Sequence, residues 1–145
     1  MNHKSLSILG YLILVMVLLE LFARDSLLAA GLVFITIQVL AASLMIWARI
    51  TFGHRSFHLS SEPTQGGLIT TGPYKYIRHP IYAAIIYFVT ASVLSHLSPL
   101  NIALWAACCA AAGTRMYSEE ILLIQKYPEY TEYARRTKRI LPSLI

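Results

Sequence analysis

A polar and aromatic segment, Gly72–Tyr82, lies between long apolar stretches of the sequence. Its basic residues are Lys75, Arg78 and His79, and the last two stand immediately before Pro80. Proline is well tolerated in the first turn of a helix. A helix N-terminus carries partial positive charge and unpaired N–H groups, so it attracts anions. The segment therefore predicts a site for a carboxylate or a phosphate, with His79 and Tyr82 on one helix face.

An anchoring role for the same side chains carries about equal weight. Arg78 and His79 can hold a membrane-spanning helix against lipid phosphates, and Tyr76 and Tyr82 can lie in the aromatic belt at the membrane surface. The residue types alone do not separate anchoring from ligand binding.

A second polar group, Arg115–Glu120, follows the last apolar stretch. Arg115 and Glu119 are four residues apart, so a helix would present a cation and an anion on one face. A simple ion pair at a wet surface would contribute about 0.3–0.5 kcal/mol. A site for a ligand that carries both charges needs the same arrangement, and both interpretations stay open.

The composition indicates that a membrane surrounds these groups. Of the 145 residues 57% are hydrophobic and 13% are charged, and the mean hydropathy is +0.58. A soluble domain of this size cannot bury so much apolar surface. Because a helix needs about 20 apolar residues to cross a bilayer, we predict an all-α, polytopic membrane protein with about four spans. The predicted spans are Leu6–Ala23, Leu27–Ala48, Ile81–Leu97 and Leu100–Tyr117.

The positions of Lys and Arg predict the orientation. If both termini are cytoplasmic, eleven of the twelve basic residues lie inside and only Arg24 lies outside, which is a strong positive-inside pattern. The net charge of +5 then reflects topology and attraction to anionic lipid headgroups, not nucleic-acid binding. The expected location is a multi-pass position in the cell or inner membrane, with both termini in the cytoplasm.

Helix breakers divide the chain further. Ser98-Pro99 predicts a tight hairpin between the third and fourth spans, and Pro128 should end a helix at Tyr127. The polar stretch Arg49–Thr71 predicts a long cytoplasmic loop. We expect one domain with two N-terminal spans (1–48), a cytoplasmic loop (49–80), a helical hairpin (81–117) and a cytoplasmic C-terminal segment (118–145).

Small and aromatic residues suggest packing and anchoring roles. Ala106–Gly113 contains only Ala, Cys and Gly, which lets membrane helices approach closely, and its adjacent Cys108 and Cys109 are not expected to form a disulfide. Two C-terminal helical pieces are expected to carry Tyr127, Tyr130 and Tyr133 near one side, where they suit either the membrane interface or ligand contact. No metal-ligand spacing is present in the sequence.

Taken together, Leu68–Tyr74, Arg78–Tyr82, Glu119-Glu120 and the later Tyr130, Tyr133 and Pro142 resemble the isoprenylcysteine carboxyl methyltransferase family. The resemblance implies an integral membrane enzyme that takes S-adenosylmethionine from the cytosol and a lipophilic substrate from the bilayer. It also implies that Glu119 binds a polar part of the cofactor and that Arg115 holds the substrate carboxylate; Glu120 belongs to the motif without an assigned role. The residues that would enclose the cofactor are Gly67, Leu68, Ile69, Tyr74, His79, Pro80 and Tyr82.

The residue chemistry agrees with this implied reaction. S-adenosylmethionine carries an ammonium, a carboxylate and a sulfonium, and Glu119 stands opposite a basic helix N-terminus. Methyl transfer needs positioning and water exclusion, and a carboxylate acceptor is already ionised at neutral pH. At 145 residues the chain resembles a minimal, prokaryotic-type member, so the acceptor could also be a thiol, an amine or a phospholipid headgroup.

Two other functions remain as alternatives. Membrane sterol reductases share an Arg-His-Pro-type motif and use NADPH, but such a site would need further basic residues. A membrane scaffold or transporter would use polar residues inside the spans, and Glu20 and Gln38 are the candidates. The sequence leaves the oligomeric state open.

Overall fold

A computed structural model of the protein describes residues 3–53 and 67–142. Every regular element in these two ranges is helical, which confirms the predicted all-α class, and one isolated bridge joins Ile77 to Lys138. Most of the predicted loop 49–71 lies outside the described residues. The elements are α1 (His3–Ala23), α2 (Leu32–Phe52), a 3-10 helix (Gly72–Lys75), α3 (Pro80–Ser95), α4 (Pro99–Lys126) and α5 (Tyr130–Arg136).

Helices α3 and α4 form the central hairpin of the bundle. α1 packs along α4 and α2 packs along α3, so the two N-terminal helices lie on opposite sides of the hairpin. The core is made of aliphatic residues of α1 packed on small residues of α4, with α3 residues between them. Its buried members include Leu14, Val17, Leu21, Val89, Cys108 and Ala112. Of the small residues predicted to allow close packing, Cys108, Ala111 and Ala112 are buried in this core.

Both predicted helix breaks are confirmed. Ser98 precedes the first residue of α4, and its Oγ accepts a hydrogen bond from the Asn101 N–H at 3.1 Å, as an N-cap should. At the other end α4 stops at Lys126, and Tyr127 has extended backbone geometry before Pro128. These local signals fix where the hairpin turns and where α5 separates from α4.

Helix α2 begins at Leu32, so the predicted start at Leu27 was wrong by five residues. Gly31 has a φ of +87°, and the preceding segment is not helical. Buried side chains replace the missing helical hydrogen bonds there. Gln38 accepts from the Ala29 N–H at 2.9 Å and donates to the Leu27 carbonyl at 2.9 Å and to Ser92 Oγ at 2.8 Å.

These contacts occupy the amide of Gln38, which supports a role between helices in preference to a polar path. Gln38→Leu is expected to lower the free energy of unfolding by about 1–3 kcal/mol, because it leaves the buried Ala29 N–H without a partner and removes one of the two bonds to the Leu27 carbonyl. Ser43→Ala is the matched control, since Ser43 is exposed and its hydroxyl bonds within α2, to the Val39 carbonyl. Unfolding midpoints in detergent measure both, and equal midpoints for the two variants would contradict the prediction.

Two helices are long and apolar enough to cross a membrane, Ser5–Ala23 within α1 and Leu32–Phe52. Only 28% and 17% of these stretches are buried within the protein, unlike the core helices of soluble proteins. Large side chains such as Leu32, Val33 and Ile50 are exposed, and lipid is the environment that can cover them. α3 is shorter, at 16 residues, so the count of four spans stays a prediction.

Candidate functional site

The start of α3, the end of α4 and the first part of α1 meet at one end of the bundle. The approach to α3 passes through the 3-10 helix, which packs against the end of α2. Gly72 begins that turn with a φ of +57°, and a Cβ there would lie 2.5 Å from Thr51 Oγ1. Only glycine meets both requirements. Pro80 is then the first residue of α3, as predicted, and His79 precedes it.

Tyr82 links the two polar groups found in the sequence. Its hydroxyl donates a short hydrogen bond to Glu119 Oε1 and accepts one from Arg115 Nε at 2.9 Å. Arg115 Nη2 lies 4.0 Å from the same Glu119 oxygen. The predicted cation and anion therefore share a face, but the tyrosine hydroxyl lies between them and the arginine is only 5% exposed. This is not a wet surface ion pair.

Helix α1 encloses the other side of Arg115. The Ser7 carbonyl accepts from Arg115 Nη1 at 2.6 Å, and the ring centroid of Tyr11 lies 5.5 Å from the guanidinium carbon. Gly10 lies against the aliphatic part of the same side chain. The sequence offered no signal for these contacts, because they join residues more than 100 positions apart.

Glu120 forms a separate cluster of charges. Its Oε1 accepts from Arg78 Nε at 3.1 Å and lies 3.2 Å from His79 Nε2, and its Oε2 accepts from Arg139 Nη2 at 2.8 Å. Arg78 also donates to the backbone carbonyls of Ala134 and Thr137. Arg78 is thus engaged by protein groups, whereas the sequence predicted that it would face an external anion.

His79 joins the two clusters. Its Nε2 approaches Glu120, and its Nδ1 lies 3.6 Å from Glu119 Oε2. Burial lowers the pKa of His79, but hydrogen bonds and charge from Glu119 and Glu120 outweigh burial and raise that pKa above its usual value. Burial likewise raises the pKa of Glu120, but bonds from His79, Arg139 and Arg78 outweigh it and lower that pKa well below normal. We assign an imidazolium between two carboxylates.

These two shifts predict how stability depends on pH. A raised histidine pKa stabilises the fold below the unfolded value of 6.5, and this contribution is lost as pH rises through the folded value. A lowered glutamate pKa stabilises above 4.5, and this contribution is lost as pH falls toward the folded value. We expect the highest unfolding midpoint between about pH 4.5 and 6.5. In His79→Gln the alkaline decline should flatten; an unchanged alkaline decline would refute the assignment.

The chain from α5 to Arg139 packs against the residues around Glu120 and His79. The Arg78 and His79 N–H groups donate to the carbonyls of Lys138 and Arg139, at 2.7 and 3.0 Å. Tyr133 Oη donates to the Tyr74 carbonyl at 2.7 Å. Tyr130 is 2% exposed, so it packs inside the protein and does not anchor at the membrane surface. Arg139 was missed by the sequence reasoning, since nothing in its neighbourhood distinguishes it from other basic residues.

The remaining predicted cofactor residues lie around this end of the bundle. Tyr74 is buried, with its ring centroid 5.6 Å from that of Phe52, and both burial and the charge of Glu119 raise its pKa. Leu68 and Ile69 are half-buried in irregular chain before the 3-10 helix, and Gly67 is exposed with a φ of +84°. The structure brings His79, Tyr82, Glu119 and Arg115 into one set of direct contacts and leaves Gly67–Ile69 outside that set.

The two adjacent glutamates differ in their surroundings. Glu120 is 11% exposed at its side chain and is compensated by three cationic groups. Glu119 is 24% exposed, and its two neighbouring cations also bond elsewhere. His79 also contacts Glu120, and Arg115 also donates to Tyr82. Glu119 is therefore the less compensated of the two carboxylates, because its ionic contacts are fewer and longer than those of Glu120.

An apolar groove of about 180 Å³ lies between α1 and α4, and its lining residue Gly10 lies against the aliphatic part of Arg115. Its wall on α1 is aliphatic and its wall on α4 is made of small residues. The lining residues are Leu6, Leu9, Gly10, Ile13, Ala107, Ala110, Ala111 and Thr114. Within residues 3–53 and 67–142 no group of three or more His, Cys, Asp or Glu side chains could hold a metal ion.

Two curated relatives match about half of the chain. The nickel-cobalt-cadmium resistance protein NccN of Alcaligenes xylosoxydans xylosoxydans is 42% identical over 82 residues, which is 53% of this chain and 37% of that protein. The cobalt-zinc-cadmium resistance protein CzcN of Cupriavidus metallidurans is 30% identical over 78 residues, 53% of this chain and 36% of that protein. The alignments thus span little more than a third of the length of either relative. No solved structure matches the chain significantly.

A protein-family profile matches more of the chain than either relative does. The isoprenylcysteine carboxyl methyltransferase (ICMT) family matches residues 27–125. This range contains α2, α3 and all of α4 except its last residue. It therefore includes His79, Tyr82, Arg115 and Glu119. Membrane association of this family agrees with the two long apolar helices. Because the match covers more than half of the chain, the protein belongs to the ICMT family.

Proposed function

We propose that the protein is a membrane methyltransferase that uses S-adenosylmethionine to methylate a lipophilic acceptor, most directly a carboxylate. Membership of a family of isoprenylcysteine-type methyltransferases supports this reaction class. The observation that carries the proposal is the contact set of Tyr82, Arg115 and Glu119, which holds an anion and a cation side by side at the end of the bundle. A reaction between a cationic donor and an anionic acceptor needs both.

The charged and aromatic side chains at this end of the bundle suit the charged groups of S-adenosylmethionine. Glu119 is the less compensated of the two glutamates, so it suits the ammonium of the cofactor. The rings of Tyr74 and Tyr82 lie close to this carboxylate, and aromatic faces attract sulfonium-type cations. Gly67, Leu68, Ile69 and Pro80 complete the proposed enclosure. His79 lies near Oε2 of Glu119, whereas Tyr82 bonds to Oε1. In this proposal Gly67–Ile69 approach the cofactor from the loop.

When bound, S-adenosylmethionine supplies an electrophilic methyl group on sulfur. The protein's own part is to position and to exclude water. Arg115 orients the acceptor carboxylate through its guanidinium, whose planar set of N–H donors matches the geometry of a carboxylate. No general base is needed, because the acceptor carboxylate has already lost its proton. Tyr82 keeps the arginine and Glu119 at a fixed separation by bonding to both.

The acceptor reaches Arg115 from the membrane in this proposal. The groove between α1 and α4 borders Arg115 through Gly10 and is lined by apolar side chains that suit one hydrocarbon chain. A phospholipid headgroup, an amine or a thiol on such a chain would be an alternative nucleophile. In this proposal the protein is a single domain with four membrane spans, and both termini face the cytoplasm. The site also faces the cytoplasm. The soluble cofactor then reaches the site from the cytosol, and the lipid acceptor reaches it from the bilayer.

Calorimetric titration of the detergent-purified protein tests the cofactor. We expect saturable binding of S-adenosylmethionine and none of NADPH. Protein with a normal unfolding transition that binds NADPH, or binds neither compound, would overturn the proposal. Transfer of a labelled methyl group to vesicles doped with a prenylated or fatty carboxylate, thiol or amine then identifies the acceptor class. Substituting Arg115→Gln should reduce transfer to the carboxylate most.

A further inference from the structure

The first part of α1 contacts Arg115, although α1 precedes the residues matched by the family profile. Ser7 accepts a hydrogen bond from the guanidinium through its carbonyl, and Tyr11 lies beside it. Gly10 lies three residues after Ser7 and directly before Tyr11, so it is on the same face of α1 as Ser7. The guanidinium is thus held from α1 on one side and from Tyr82 and Glu119 on the other.

Gly10 leaves room that no other residue would leave. A Cβ at this position would lie 2.9 Å from Arg115 Cγ and 3.2 Å from the Ala111 carbonyl oxygen. Ordinary contacts of a Cβ begin near 3.4 Å, so the aliphatic part of Arg115 would have to move. Gly10 lies in the interior of α1 and has no positive φ, so backbone conformation does not explain it. Glycine is a poor helix former, which makes space the physical reason for its presence.

We propose that Gly10 is a positioning residue that sets the place of Arg115 relative to Tyr82 and Glu119. By this inference α1 forms part of the acceptor side of the site, and the close approach of α1 to α4 sets the geometry of the guanidinium. The inference rests on the proposed function for its catalytic consequence only. The mechanical link between Gly10 and Arg115 can be tested without any methyl transfer.

The test compares Gly10→Ala with Gly113→Ala. Both are glycine-to-alanine changes inside helices, but a Cβ at Gly113 meets nothing within 4 Å. We expect Gly10→Ala to lower the kcat/KM for the acceptor by about tenfold to hundredfold, as a displaced positioning group does. The affinity for S-adenosylmethionine should stay within about threefold of the starting protein, which is far below that loss. Gly113→Ala should leave both values unchanged. A normal acceptor kcat/KM in Gly10→Ala would overturn the proposal.

A double-substitution cycle provides a readout that does not need activity. Arg115→Ala removes the Cγ that the new methyl group would meet, so Gly10→Ala should lower the unfolding midpoint in the native background and much less in the Arg115→Ala background. Equal losses in both backgrounds would mean that Gly10 serves helix packing alone, and would refute the positioning role. If transfer is absent from the native protein but the cycle is non-additive, the proposed function fails and the link to Arg115 stands.

Discussion

Glu119→Gln is expected to weaken the binding of S-adenosylmethionine by about tenfold to hundredfold, the loss typical of a hydrogen bond to a charged group. Glutamine keeps the size of the side chain and can still accept from the Tyr82 hydroxyl. It loses the negative charge that would face the ammonium of the cofactor. Calorimetric titration at constant pH and detergent measures the change directly.

Glu132→Gln is the matched control for this experiment. Glu132 is exposed on α5 and pairs with Arg136 at 2.7 Å, away from the contacts around Tyr82. It undergoes the same chemical change, and its affinity for the cofactor should equal that of the starting protein. Unaltered binding in Glu119→Gln, with a normal unfolding transition, would remove Glu119 from the cofactor site and leave the reaction class without its main structural support.

Glu120→Gln is expected mainly to lower the free energy of unfolding. The substitution leaves Arg78, His79 and Arg139 without their shared counter-charge, and loss of one member of a buried ionic group typically costs about 3–5 kcal/mol. Because the same carboxylate ties the C-terminal segment to the start of α3, the expected result is a large fall in the unfolding midpoint. Chemical denaturation in detergent measures the free energy of unfolding.

Glu20→Gln serves as the control for Glu120. Glu20 forms an exposed pair with Arg24 at the end of α1, with a closest N–O distance of 3.9 Å, and such pairs contribute at most about 1 kcal/mol. If Glu120→Gln were no more costly than Glu20→Gln, the cluster around Glu120 would not stabilise the fold. Protein that keeps its stability but loses cofactor affinity would move Glu120 into the binding site.

The contrast between Glu119 and Glu120 marks a limit of sequence reasoning. Successive residues of a helix point about 100° apart, so the two carboxylates had to face different surroundings. Which one would meet Arg78 and Arg139 depended on where the C-terminal segment returns. The sequence motif contains both glutamates, and only the packing of that segment on α3 separates the compensated carboxylate from the one available to a ligand.

Local signals determined much of the molecule from the sequence alone. The apolar composition, the helix breaks at Ser98-Pro99 and Pro128, and the pairing of Arg115 with Glu119 on one face all follow from interactions within a few residues. These interactions act at short range along the chain, so the residue order carries them. The all-α class could be predicted for that reason, whereas the meeting of Tyr82 with Arg115 and Glu119, 33 and 37 positions away, was expected only from the family resemblance.

Tertiary structure alone decided the rest. The non-helical segment before α2 exists because Gln38 and Ser92 satisfy its backbone groups, and Arg115 is enclosed because Ser7 and Gly10 of α1 lie against α4. These partners are separated by up to 108 positions in the chain. Their meeting depends on how whole helices pack, and helix packing is set by many weak contacts summed over a surface, which no short pattern of residues records.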